Sequence, residues 1–281
     1  MPELAEVELA RRIWSPGLGK KVLSVGAHPR TRVFRDTPAT VIQDSLTRST
    51  LIESRAHGKR LLFTFQKEDS VLPLEIHLGM SGRLTIGDPD QVEHKHDHLI
   101  IRLKDLSLIY NDYRQFGRAY LHSETESDPW EQLPHEVLSP KFTLKYVREL
   151  LARRPRTSLK ALILDQRAFP GIGNWMADEI CWRMACHPAT PTADLDAGSL
   201  RKETQFVTRG ALKHVADKNE SLIRDSSKGF KAGSYVNEVP PKTWLFQHRW
   251  QKGGHCPKCR TALERATIAT RTTAWCPQCQ K

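Results

Sequence analysis

Nowhere in its 281 residues does the chain carry an apolar run approaching the 18–20 residues that a membrane-spanning helix needs, which excludes a helical membrane protein. The N-terminus also lacks the apolar stretch of a secretory signal. It carries Glu3, Glu6, Glu8, Arg11 and Arg12 instead, so an intracellular protein is expected. There is no internal repeat and no low-complexity tract. Acidic residues are in the minority, 32 against 43 Lys and Arg, for a net charge of +11. A cationic surface gains affinity for polyanions by releasing their counterions, so nucleic acid is a natural partner. A basic enzyme with no such partner fits the charge as well. Cysteine is scarce, at six residues, and four of these fall in two CxxC pairs. In a reducing compartment paired CxxC units point to metal rather than disulfides.

The length exceeds one typical domain, and 39% hydrophobic residues suffice for packed cores. Residues 6–14 have helical spacing and stop at Ser15-Pro16-Gly17. From about residue 22 to 120 short β-rich runs alternate with turns, as at 60–65, 72–77, 99–103 and 106–110, which predicts an antiparallel sandwich. Residues 121–140, with Asp128-Pro129 and Ser139-Pro140, read as a linker. Helical periodicity returns at 142–153, 159–166, 175–185 and 200–216. A polar loop is expected over 221–242, and the cysteine pairs occupy the last segment. The expected fold class is therefore α+β and multidomain. Its parts are a helix plus β-sandwich (1–120), a linker (121–140), a helical domain with a loop (141–242) and a cysteine-bearing finger (243–281).

Cys256-Pro257-Lys258-Cys259 and Cys276-Pro277-Gln278-Cys279 are separated by sixteen residues, enough for a hairpin that returns the second pair to the first. Four thiolates satisfy tetrahedral Zn²⁺ and leave no position for a catalytic water, so one structural zinc on Cys256, Cys259, Cys276 and Cys279 is expected. Residues 245–281 hold seven Lys and Arg against one acid, and Arg271 falls where the hairpin tip should be. Upstream, Gly171-Ile172-Gly173-Asn174 opens onto a helix whose first N–H groups can hold a phosphate, with Arg156, Lys160 and Arg167 nearby. Many plain helix–helix turns contain glycine as well.

Met1 before a proline is normally trimmed, which would leave Pro2 as a free secondary amine beside the Glu3 carboxylate. An α-amine titrates roughly 2–3 units below a lysine, so part of it is unprotonated near neutrality. Such an amine can form a Schiff base with a sugar carbon, with Glu3 and Glu6 moving protons around it. A chain start followed by a helix gives the same residues.

In this order the blocks resemble the formamidopyrimidine-DNA glycosylase and endonuclease VIII family over essentially the whole chain. The matching blocks in the first half are Pro2-Glu3-Leu4 with Glu6-Val7-Glu8, Gly58-Lys59-Arg60-Leu61-Leu62, His77-Leu78-Gly79-Met80-Ser81-Gly82, Lys95-His96-Asp97-His98 and Arg114-Gln115-Phe116-Gly117. Gly171-Ile172-Gly173-Asn174, Ala177-Asp178-Glu179, His187-Pro188 and the four cysteines follow. The resemblance implies a monomeric DNA glycosylase and abasic-site lyase acting on double-stranded DNA with oxidised bases or abasic sites. It also implies a bacterial, cytoplasmic and nucleoid-associated location. By position, Pro2 is the nucleophile at C1′, Glu3 protonates the sugar ring oxygen, Lys59 assists base release and β-elimination, and Glu6 is a nearby carboxylate. Met80, Arg114 and Phe116 would fill the gap left by a flipped base. Asn174 and Arg271, with Lys160, would contact DNA phosphates.

The sequence departs from the family in four places. Ala5 replaces a common proline, and Asp112-Tyr113-Arg114-Gln115-Phe116 lacks a second arginine. Residues 226–233 match only loosely the loop that covers 8-oxoguanine, and Phe246-Gln247-His248-Arg249-Trp250 is altered before the finger. The trio tilts the expectation toward oxidised purines. Oxidised pyrimidines, or damage recognition without catalysis, remain open at this point.

Overall fold

The computed structural model describes residues 2–122, 128–218, 239–250 and 253–281. Residues 226–233, and most of the loop expected over 221–242, lie outside the described residues. In chain order come α1 (Leu4–Ile13), β1 (Ser24–Ala27), α2 (Ala39–Leu46), β2 (Thr50–His57), β3 (Arg60–Lys67), β4 (Ser70–His77), β5 (Arg83–Gly87), β6 (Asp97–Arg102), β7 (Ser107–Asn111) and β8 (Arg118–Leu121). Helices α3 (Leu144–Arg153), α4 (Leu159–Leu164), α5 (Asn174–Arg183) and α6 (Ala197–Ala211) follow, then β9 (Glu264–Ile268) and β10 (Arg271–Trp275). The chain divides into two compact units. One gathers Met1–Pro2, Glu6–Gln132 and Ala216–Asn237, and the other Glu3–Ala5, Leu133–Val215 and Glu238–Lys281.

The first unit is built on two four-stranded antiparallel sheets, ordered β1-β6-β7-β5 and β2-β3-β4-β8. Trp14 ties them together. It is fully buried, its Nε1–H donates to the Thr85 carbonyl on β5 at 3.1 Å, and its ring lies 4.7 Å from Phe63 on β3. β3 buries five consecutive residues because it is an inner strand covered on both faces, so its sequence reads as a continuous apolar run rather than an alternating one. The stretch expected to be β-rich contains, after a short 3-10 turn at Arg32–Phe34, one α-helix, α2. Its eight residues include Thr40, Val41 and Ile42, whose β-branching mimics a strand. Pro38 sets φ −54 ahead of the first turn, and Ala39, Ile42 and Leu46 then bury one helical face.

In the second unit most helices carry a local cap. Thr143 accepts from Tyr146 N–H (3.1 Å), Ser158 from Ala161 N–H (3.3 Å) and Asp196 from Ser199 N–H (2.7 Å). Helix α5 is different: it starts after Gly173, which has no side chain to cap it. Its orphan donors are satisfied from a distant part of the chain.

Candidate active site

The donors at the start of α5 hold Glu3. Gly173 N–H and Met176 N–H donate to Glu3 Oε2 at 2.9 and 3.2 Å, and Trp175 N–H donates to Oε1 at 2.9 Å. Leu4 N–H adds a bond to the Gly171 carbonyl at 3.0 Å. A buried carboxylate at the positive end of a helix, with three backbone donors, is a strong local anchor. It corrects the expectation that this glycine loop offers free N–H groups to a phosphate, since the site is filled by the protein's own carboxylate. The glycine at 173 is required for that contact, because a Cβ there would stand 2.4 Å from Glu3 Cδ. Pro2 is half-buried and joined directly to this anchored residue. Glu6 lies half-buried in the first turn of α1.

Lys59 sits on a turn between two strands. His57 pairs with Arg60, which leaves Gly58 and Lys59 as a two-residue hairpin loop between β2 and β3. Gly58 has φ +58, the positive first position of a type II′ turn, so the motif's glycine is what presents the lysine. Arg60 donates to the buried Glu75 carboxylate at 3.1 Å, and Trp130 Nε1 and His122 Nε2 donate to its other oxygen, each at 2.9 Å. Burial raises the Glu75 carboxyl, but the bonds from Trp130 and His122 and the Arg60 charge outweigh it and hold it below the usual range. Burial, then the charges of Lys59 and Arg60, push the His77 imidazole down. His77 Nδ1 accepts from Gly79 N–H at 3.0 Å, which starts the loop bearing Met80.

Met80, Arg114 and Phe116 come together on two loops in backbone contact. Gly79 has φ +61, and a Cβ there would lie 2.4 Å from the Phe116 carbonyl carbon, so only glycine lets the loops meet. Asp112 organises both: Ser81 Oγ donates to it at 2.5 Å and Gly117 N–H at 2.7 Å. Met80 is 45% exposed and Phe116 49%, and the Arg114 guanidinium lies 4.6 Å over the Phe116 ring. Gln115 turns inward at φ +54, where its Oε1 accepts from Thr31 Oγ1 (3.3 Å) and Arg32 N–H (3.0 Å). The change from arginine thus replaces a cation with a tether.

In the second unit Lys160 departs from expectation. Its ammonium is fully buried and paired with Asp178, so it does not reach a surface phosphate. Burial lowers its pKa against the pull of Asp178. The apolar i, i+3 spacing around it (Leu159, Leu162, Ile163) is the signal that position 160 faces inward. Asn174 Nδ2 donates to the Thr272 carbonyl at 2.8 Å. Arg271 is exposed immediately after the two-residue loop of the β9–β10 hairpin. Both loop residues, Ala269 (φ +51) and Thr270 (φ +61), are left-handed, as a type I′ turn demands, although neither is Gly or Asn.

The four finger sulfurs lie within 4.8 Å of one another, with Cys256–Cys279 at 3.9 Å and Cys259 at 3.4 Å from both Cys276 and Cys279. Zinc–sulfur bonds of about 2.3 Å give tetrahedral edges of about 3.8 Å, so the residues fit one structural zinc. Trp182 Nε1–H donates to Cys256 Sγ at 3.3 Å, a bond to a ligand of the kind that orients metal sites.

A model of the formamidopyrimidine-DNA glycosylase N-terminal domain matches residues 1–119, one of the formamidopyrimidine-DNA glycosylase H2TH domain matches 133–221, and one of the zinc finger found in FPG and IleRS matches 253–281. The chain is 32% identical over 282 residues to the formamidopyrimidine-DNA glycosylase of Acinetobacter baumannii, covering 100% of this chain and 97% of the relative. It is 33% identical over 302 residues to that of Thermomicrobium roseum, covering 100% and 99%. It is also similar to the solved complex of Lactococcus lactis Fpg with DNA containing an abasic site, with a TM-score of 0.79, 27% identity and 99% of each chain covered. The Lactococcus lactis complex with DNA containing an oxidised pyrimidine gives a TM-score of 0.78 at 27% identity, with 100% of each chain covered. Three domain models matched in order, and relatives above 30% identity along the whole chain, identify this protein as a zinc-finger DNA glycosylase of the formamidopyrimidine-DNA glycosylase family.

Proposed function

We propose that the chain excises oxidised purines, formamidopyrimidine and 8-oxoguanine, from double-stranded DNA and then cleaves the strand through a Pro2 Schiff base. The observation that carries this reading is Glu3, which is held through both carboxylate oxygens at the start of α5 and is bonded directly to Pro2. An amine one peptide bond from an anchored carboxylate has little orientational freedom left to lose, which favours attack on a fixed carbon.

The target base leaves the stack, and Met80, Arg114 and Phe116 enter the space it vacates. The Pro2 nitrogen attacks C1′, the glycosidic bond breaks, and the base departs with a proton. Glu3 takes up the proton that the Pro2 nitrogen sheds on bonding to C1′ and passes it to O4′ as the ring C1′–O4′ bond opens, which leaves an iminium linking Pro2 to C1′. Loss of a C2′ proton expels the 3′ phosphate by β-elimination, and δ-elimination then expels the 5′ phosphate, leaving a one-nucleotide gap with phosphate ends. Lys59, presented on its hairpin, assists base release and β-elimination, and Glu6 lends a further carboxylate. Asn174 and Arg271 grip phosphates. In this reading residues 1–120 are catalytic, 121–140 a linker, 141–242 the helix–two-turn–helix region and 243–281 the finger. The enzyme works as a monomer in a bacterial cytoplasm, bound to the nucleoid through DNA.

A second reading, preference for oxidised pyrimidines, draws on the likeness to the Lactococcus lactis complex with such a base. Duplexes carrying 8-oxoguanine, formamidopyrimidine or thymine glycol separate the two. Faster single-turnover excision of either purine lesion is expected, and a preference for thymine glycol would overturn the purine assignment.

A further inference from the structure

We propose that Arg249 is a positioning residue that locks the finger hairpin onto α5, so that Asn174 and Arg271 meet DNA as one preset phosphate grip. The inference rests on the DNA-processing function proposed above. Arg249 lies in the segment that departs from the family pattern and is 5% exposed. Its Nε and Nη2 donate to Asp178 Oδ2 at 2.8 and 2.5 Å, and Nη2 also lies 3.5 Å from the Thr272 carbonyl. Its own carbonyl accepts from Arg265 Nη2 of β9 at 2.5 Å.

Asp178 is the centre of the lock. It is fully buried on α5, binds Lys160 of α4 through Oδ1, and accepts Ala274 N–H of β10 through Oδ2 at 3.2 Å. The Thr272 carbonyl that faces Arg249 also accepts from Asn174 Nδ2. Thr272 directly follows Arg271, and Asn174 is the first residue of α5. Five parts of the chain, α4, α5, the 249 segment, β9 and β10, thus converge on one cluster, and both proposed phosphate contacts are attached to it.

A two-stranded hairpin is marginal by itself, so without such ties its tip would have to be ordered at the moment of binding. Two buried cations on one buried anion are poor stabilisers compared with an apolar plug of the same size. A fixed arrangement of the grip is what they supply here.

The test is equilibrium binding of the full-length, zinc-loaded chain to a duplex with a tetrahydrofuran abasic analogue, measured across a salt series for wild type, Arg249→Met, Arg271→Ala and the double variant. If Arg249 acts through Arg271, Arg249→Met weakens binding about tenfold and lowers the salt slope by about one, the loss of roughly one phosphate contact. The double variant is then no weaker than Arg271→Ala by more than about twofold, because coupled residues are not additive. A wild-type salt slope for Arg249→Met, or losses that multiply in the double variant, would overturn the proposal. If Arg249→Met fails to retain one zinc per chain, Arg249→Lys takes its place in the same cycle, with the same non-additivity expected and multiplied losses again contradicting it. If wild type shows no salt-dependent binding, the proposed function fails instead. The lock is then read from amide exchange at Ala274, which Arg249→Met should accelerate about tenfold or more. Unchanged exchange would sink the lock.

Discussion

At the scale of single residues, a methyl group at position 173 has no room, because it would sit 2.4 Å from Glu3 Cδ. Gly173→Ala should therefore cost about 1–3 kcal/mol, as overpacking does. In a Glu3→Ala background the same change should cost much less, and thermal denaturation of the four proteins checks it. Equal costs in both backgrounds would mean that the contact is unimportant. Glu179 makes a second prediction. Burial pushes its carboxyl up to about 7, against the opposing pull of Arg183. A carboxyl raised in the folded state contributes most stability below its unfolded pKa and loses it as pH rises from about 4.5 to about 7. Glu179→Gln should flatten the stability profile across that window by a few kcal/mol, measured by denaturant unfolding at stepped pH. The residues proposed to carry the chemistry, Pro2, Glu3 and Lys59, stand out in the sequence because they lie in short ordered blocks. Their supports do not. Asp178 and Arg249 are 71 positions apart, and nothing local in either segment announces that they meet. The same holds for Glu3 with Met176, 173 positions apart, and so the helix N-terminus reads in sequence as an open anion site.

At the scale of elements, the finger hairpin turns through Ala269 and Thr270, both at positive φ. A β-branched threonine is costly there, of order 1 kcal/mol or more. The double substitution Ala269→Asn with Thr270→Gly supplies the residues that a type I′ turn prefers, and should raise the midpoint of finger unfolding by several degrees in a thermal melt. If stability falls instead, contacts of the Thr270 side chain outweigh its backbone strain. Strands with apolar runs and helices with clear periods can be read directly, as at β3, β4, β6 and β7 and at α3 to α6. Helix α2 is hidden by its β-branched residues and its shortness, and tertiary burial of Ile42 and Leu46 outweighs that local bias. Lys160 misleads for a related reason. Its charge suggests surface, while its helical phase points it at Asp178.

For the whole molecule, a net charge of +11, three matched domains and four gathered sulfurs suit a DNA-binding protein, but in the proposed mechanism none of them performs the chemistry. In the mechanism proposed above the chemistry falls to one amine. Borohydride trapping tests it most directly. Wild-type protein with Met1 removed is incubated with abasic duplex and sodium borohydride, and the covalent adduct is mapped by mass spectrometry. A near-stoichiometric adduct on the Pro2 nitrogen is expected, with most trapping lost in Pro2→Gly or when a residue precedes Pro2. No adduct from wild type, or an adduct that maps to Lys59 with Pro2 intact, would contradict it.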